Sequence, residues 1–228
     1  VLAEGETRIL GAAREPEICQ LCRFLRGMGA RVKGEGTDCL SVLGVKSFDL
    51  HDSFFSVGGD RIVAGTYMAA VMAATGDVQI RGADLEELKE PARLFMKAGA
   101  RIRREERGRD FRISIKERPR GLTLETAPYP GFPTDLQSPF MAFLAGAMGE
   151  SCIRETVFEE RFATASQLEK MGARIKVEGL TASIKGVWPL MGARVTAGDL
   201  RGGAALAVAA LGAGGTTVIE EGRHIERG

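Results

Sequence analysis

The chain has 228 residues, 44% of them hydrophobic, which is enough for one large domain or two small ones with a real core. Its 31 Lys+Arg against 30 Asp+Glu leave a formal net charge of +1, which argues against a polyanion binder driven by bulk charge, and so against nucleic acid, though a local anion site stays open. No apolar run is long and continuous enough to span a bilayer, and Val1-Leu-Ala-Glu-Gly-Glu6 has neither region of a secretory signal, so a membrane role is not expected.

The chain starts without Met and stops at His224-Ile-Glu-Arg-Gly228, where another helix is about to begin; we expect a piece of a longer protein. Thr7-Arg-Ile-Leu10 reads as a short strand. Ala13-Arg-Glu-Pro-Glu-Ile18 opens a helix, with Pro16 tolerated in the first turn, and Gly29 ends it. Cys19-Gln-Leu-Cys22 lies inside that helical pattern. With no second cysteine pair and only two His in the chain, it reads as two buried or half-buried thiols in a reducing cytoplasm. No metal and no other cofactor is implied, since scattered His and carboxylates give no ligand set.

Met28-Gly-Ala-Arg-Val32 returns as Ala98-Gly-Ala-Arg-Ile102 and as Met171-Gly-Ala-Arg-Ile175. Each copy ends an amphipathic helix (the second at 85–97, the third at 162–170) and starts a hairpin. Met191-Gly-Ala-Arg-Val195 follows a proline and a turn and reads as a strand entry. A second repeat interleaves with the first. The stretches after Asp60, Asp135 and Asp199 are small or apolar almost all round, as in buried helices. Strands follow at 77–80, 151–154 and 216–219. The repeating unit is therefore strand, buried helix, strand, exposed helix, hairpin, with full copies at about 53–116 and 122–186. This predicts an α/β fold with helices inside and sheets outside, an inverted barrel incomplete at both ends.

The stretch Pro128-Tyr-Pro-Gly-Phe-Pro-Thr-Asp-Leu-Gln-Ser-Pro-Phe140 stands out, because three prolines stiffen the approach to a buried helix. Asp135 falls at the N-cap position, and a cap is the first reading of it. A rigid loop that sets one carboxylate at a helix mouth also suits a functional group. Asp60, Asp135 and Asp199 occupy equivalent places. Their helix N-termini, with Arg61 and Arg201 close by in sequence, suit anionic ligands, against the plainer reading of three caps with solvated arginines.

Ala13-Arg-Glu-Pro-Glu17, Phe132-Pro-Thr-Asp-Leu-Gln137, Glu155-Thr-Val-Phe-Glu159 with Arg161-Phe162, Asp199-Leu-Arg201 and His224-Ile-Glu-Arg-Gly228 resemble, in order and spacing, the UDP-N-acetylglucosamine 1-carboxyvinyltransferases. That family is built of two inverted α/β barrels facing across a cleft, and the resemblance covers essentially the whole chain as roughly the second half of the family's protein. It implies transfer of enolpyruvate from phosphoenolpyruvate to the 3-hydroxyl of UDP-N-acetylglucosamine in the cytoplasm. This is the first committed step of peptidoglycan precursor synthesis, and so serves cell-wall biogenesis, cell shape and division.

Residues 1–58 would be the last unit of the UDP-sugar side, and 59–228 most of the catalytic domain. By resemblance Asp135 contacts the sugar's 3-hydroxyl and takes part in its deprotonation. Val157 offers a backbone contact to the sugar with Phe158 beside it. Arg201 and Arg227 hold the phosphate and carboxylate of phosphoenolpyruvate, and Glu15 and Asp60 lie at the cleft. The family's reactive loop cysteine and its N-terminal Lys-Asn pair belong to the half not present; Cys19, Cys22, Cys39 and Cys152 do not align with that cysteine. That N-terminal half is thus an expected partner, without which this stretch binds weakly and does not turn over. Two positions depart from the family pattern: Glu160 where Asn is usual, which puts a negative charge beside a substrate segment, and Glu226 where Asp is usual. The alternatives are a relative acting on shikimate 3-phosphate, and a non-catalytic repeat scaffold.

Overall fold

A computed structural model of the chain describes residues 1–105 and 109–227, with the backbone alone at Arg227. The described chain divides into two compact units, Val1–Gly58 with Pro128–Pro130, and Gly59–Ala127 with Gly131–Gly228.

The first unit runs β1 (Glu6–Leu10), α1 (Pro16–Gly27), β2 (Arg31–Lys33) and β3 (Cys39–Leu43), with an antiparallel sheet in the order β1-β3-β2. Pro16 sits at the helix start, where its missing N–H leaves nothing unpaired. Gly29 closes the helix at φ 98°, a conformation open to glycine and costly for other residues. Cys22, Ala30, Val32 and Leu40 form its small core. Cys22 is buried and Cys19 half-buried, both as free thiols. Burial pushes the Cys22 thiol up from its ordinary value. Residues 53–60 form no strand, so the strand expected ahead of the first buried helix is absent; an extended segment without a ladder partner is only a connection.

One ion pair in this unit has a pH signature. Arg26 donates to Glu35 and to the Val32 carbonyl, and its guanidinium holds the Glu35 carboxyl down from 4.5 to about 2. A depressed acid stabilises the fold fully above its unfolded value and loses that contribution as pH falls through the folded one. Arg26→Leu should therefore destabilise α1 at neutral pH, with the gap to wild type shrinking between 4.5 and about 2. Amide exchange across α1 as a function of pH checks this; a gap that stays constant over that window would contradict it.

The second unit begins with α2 (Arg61–Ala74), β4 (Asp77–Ile80), α3 (Lys89–Lys97), β5 (Arg101–Arg104) and β6 (Phe111–Ser114). The pattern returns as β7 (Thr123–Glu125), α4 (Gln137–Ala145), β8 (Glu150–Arg154), α5 (Ala165–Lys170), β9 (Arg174–Glu178) and β10 (Thr181–Lys185). It starts a third time as β11 (Leu190–Met191), β12 (Arg194–Thr196), α6 (Leu200–Leu211), β13 (Ala213–Gly214) and β14 (Val218–Glu220). Of the strand expected at 216–219 only β14 forms, pairing in parallel with β12, while β13 is a separate two-residue piece ahead of it that pairs in parallel with β11.

Helices α2, α4 and α6 pack on one another at the centre, and every residue of α4 is buried. The sheets β4-β6-β5 and β7-β8-β10-β9 lie outside them. The architecture is therefore inside-out α/β, with no closed barrel among the described residues. Small residues let the central helices approach. A Cβ at Gly65 of α2 would stand 2.5 Å from Cδ1 of Leu136, which is fully buried and has nowhere to move. Gly65→Ala gains about 1 kcal/mol of helix propensity, but overpacking costs about 1–3 kcal/mol. A lower Tm is expected, and a rise would contradict this packing.

The apolar centre continues as a cluster of rings. Phe140 lies 4.4 Å from Phe95, 4.7 Å from Phe132 and 5.0 Å from Phe143, measured between centroids. Phe132 belongs to the proline-rich stretch, so the loop that leads to Asp135 is anchored in the core by an aromatic side chain.

Candidate functional site

The site grows from the adjacent C-terminal ends of β7 and β8. These strands are parallel, with Glu125 opposite Arg154, so the next residues, Thr126 and Glu155, also come side by side. Strand alternation turns Ser151, Ile153 and Glu155 inward together. Glu155 is thereby fully buried, yet its carboxylate accepts four hydrogen bonds. Its Oε1 accepts from Thr126 Oγ1 at 2.6 Å, Val157 N at 2.9 Å and Phe158 N at 3.0 Å. Its Oε2 accepts from Thr134 Oγ1 at 3.0 Å. A buried carboxylate needs such partners to offset its lost hydration. Thr126 in turn accepts from Thr156 N at 2.8 Å.

Asp135 stands next to this network. Helix α4 does not start at Asp135 as the spacing suggests. A 3-10 turn, Thr134–Leu136, comes first, with Pro133 at its cap, and the α-helix begins at Gln137 and ends at Ala145. Asp135 therefore makes no capping hydrogen bond, whereas Asp60 caps α2 through Ile62 N and Val63 N, and Asp199 caps α6 through Gly202 N. The three aspartates are equivalent in sequence but not in use. Asp135 is freed from capping by the extra turn.

Its carboxylate is held instead between two guanidinium groups. Arg161 Nη2 donates to Oδ1 at 2.8 Å and Arg201 Nη2 to Oδ2 at 2.9 Å. The Asp135 side chain is 36% exposed, against 16% for Arg161 and 23% for Arg201, so a ligand reaches the carboxylate more easily than the arginines behind it. Arg161 also donates through Nε to Thr134 Oγ1 at 3.3 Å and lies 4.5 Å from the centre of the Phe158 ring. Val157 and Phe158 present half-exposed apolar side chains beside it.

The structure thus groups Asp135, Val157, Phe158 and Arg201. Asp60 is occupied as a helix cap. Glu15 stands at the start of α1 in the first unit, with no capping hydrogen bond of its own. Arg227 ends the turn Gly222–Arg227, and its side chain lies outside the described residues. Sequence reasoning did not assign roles to Arg161, Glu155, Thr126 or Thr134. The inward alternation Ser151, Ile153, Glu155 was the signal for the second of these. Among the described residues no group of three or more His, Cys, Asp or Glu is placed to hold a metal ion.

The inside-out α/β fold thus holds one carboxylate between two arginines, Arg201 in the first turn of the central helix α6 and Arg161 in the 3-10 turn ahead of α5. The chain belongs to the family described as EPSP synthase (3-phosphoshikimate 1-carboxyvinyltransferase), whose model matches residues 1–228. It is 45% identical over its whole length to a UDP-N-acetylglucosamine 1-carboxyvinyltransferase 2 from Caldanaerobacter subterraneus subsp. tengcongensis, of which it covers 54%. It is equally 45% identical to a UDP-N-acetylglucosamine 1-carboxyvinyltransferase from Geobacter metallireducens, again covering 54%. Among solved structures, the enolpyruvyl transferase NikO from Streptomyces tendae matches with TM-score 0.86 and 26% identity, over 100% of this chain and 54% of that one. EPSP synthase from Acinetobacter baumannii shares the fold, with TM-score 0.69 at 20% identity over 98% of this chain and 54% of its own. The chain spans about half the length of the curated relatives it matches.

Proposed function

We propose that this chain supplies the Asp135-bearing part of an enzyme that transfers enolpyruvate from phosphoenolpyruvate to the 3-hydroxyl of UDP-N-acetylglucosamine. The observation that carries this reading is the Asp135 carboxylate, partly open and clamped by Arg161 and Arg201, in a chain whose relatives bear that activity in their names. Residues 1–58 would belong to the sugar-nucleotide side of a cleft, 59–228 to the catalytic side, and the half of the relatives not spanned here would complete it. The cytoplasm and the peptidoglycan pathway belong to the same reading.

In this account the sugar hydroxyl approaches Asp135, which accepts its proton as the oxygen adds to C2 of phosphoenolpyruvate. A proton reaches C3 at the same stage. Phosphate then leaves from C2 with its bonding electron pair and a C3 proton is lost, which restores the C2=C3 double bond and leaves the sugar oxygen joined to C2 as an enol ether. Arg201, with Arg227, holds the phosphate and carboxylate through guanidinium forks. An anion arriving at Arg201 competes with Asp135 for the same Nη2, so donor binding releases Oδ2 to receive the hydroxyl. The N–H of Val157 already donates to Glu155, so the backbone contact to the sugar falls to the Val157 carbonyl.

Ligand-dependent stability of the intact gene product tests the substrate choice. A ligand that binds only the folded state at 100 times its Kd adds about 2.7 kcal/mol. UDP-N-acetylglucosamine should raise Tm by several degrees, while shikimate 3-phosphate leaves it unchanged. The reverse preference would make the shikimate enzyme the correct reading.

A further inference from the structure

We infer that Glu155 is a positioning residue: its buried carboxylate ties the Val157–Phe158 segment to the turn that carries Asp135, and so sets where the acceptor hydroxyl meets the base. This rests on the function proposed above and deepens it.

The four donors to Glu155 come from three separate segments. Thr126 follows β7, Thr134 lies next to Asp135, and the amides of Val157 and Phe158 belong to the exposed strip beside Arg161. The Thr134 hydroxyl has one proton, which it gives to Glu155, while its lone pair accepts from Arg161 Nε. The orientation of Arg161, and with it one of the two clamps on Asp135, is therefore relayed from Glu155 through Thr134. Glu155 itself is fully buried and touches no substrate. Its effect on chemistry is through geometry alone, in a network where each bond fixes the next.

Glu155→Gln keeps the shape but replaces one acceptor oxygen with a donor NH2 that faces other donors. In the intact gene product we expect kcat/KM for UDP-N-acetylglucosamine to fall by about thirtyfold, as for a slightly misplaced reacting group. KM for phosphoenolpyruvate should stay within about threefold, because Arg201 bonds neither Glu155 nor Thr134 and meets this network only through Asp135. Amide exchange at Val157 and Phe158 should quicken by about tenfold or more while α4 stays protected. Unchanged exchange at those two amides, or an equal loss toward both substrates, would overturn the inference. Should the wild-type protein transfer no enolpyruvate, the proposed function fails, and the exchange result alone decides on Glu155. Should Glu155→Gln not fold, Thr134→Val removes a single donor from a half-buried site and should give a smaller split in the same direction; no split and no change in exchange would again overturn it.

Discussion

Asp135→Asn should lower kcat of the intact gene product by about 10²–10⁴-fold, the usual contribution of a positioned general base. The substitution keeps the shape of the side chain but leaves it one acceptor oxygen in place of two, the NH2 facing a guanidinium donor, and it cannot take the hydroxyl proton. It also removes the carboxylate that binds Arg201 at 2.9 Å and Arg161 at 2.8 Å. Arg201 is then left to meet an incoming anion without competition. Phosphoenolpyruvate should therefore bind as tightly as before or more tightly, and the whole loss should fall on turnover. Steady-state phosphate release together with a direct binding titration separates the two. A variant that turns over normally would remove Asp135 from the chemistry. One that turns over slowly only because phosphoenolpyruvate binds poorly would make Asp135 an organiser of Arg201 instead.

Phe140→Ala should be the most damaging single change to the core. The ring is wholly buried against Phe95, Phe132 and Phe143. Truncating a buried Phe costs about 3–5 kcal/mol in lost burial and residual cavity. For a unit of this size that lowers Tm by roughly 6–20 °C. The effect should extend to function, since Phe132 packs on the same ring and anchors the loop that leads to Asp135. Calorimetry of the variant gives the first quantity. A loss below about 1 kcal/mol would mean that the neighbouring rings refill the space.

Much of this fold was legible because it repeats. The phrase Gly-Ala-Arg followed by Val or Ile marks the junction of an exposed helix with a hairpin at Arg31, Arg101 and Arg174, and each junction falls there in the structure. The buried helices were visible in their small and apolar composition. Three things were not legible. The strand expected ahead of α2 is missing because pairing depends on a partner strand, which local pattern does not reveal. In the third repeat the expected strand shortens to β14, with β13 a separate piece before it, for the same reason. Asp135 reads as a cap because Asp at the mouth of an apolar run usually is one. Only the 3-10 turn at Thr134–Leu136, which shifts the helix start to Gln137, releases it.

The site was legible in part, through motifs whose residues the fold brings together. Asp135 and Arg201 are 66 positions apart in sequence and 2.9 Å apart in space. Glu155 and Thr126 were harder to find, because a buried Glu at a strand end has the same local sequence as an exposed one. Its role follows from the parallel pairing of β7 with β8, a tertiary fact.

The most direct test mixes the intact gene product with phosphoenolpyruvate and UDP-N-acetylglucosamine and follows both phosphate release and the mass of the sugar nucleotide. Phosphate should appear in equal amount to a sugar nucleotide that has gained one enolpyruvyl group, with no product when shikimate 3-phosphate takes the acceptor's place. Enolpyruvyl transfer to shikimate 3-phosphate instead, or no transfer to either acceptor, would contradict the proposed function.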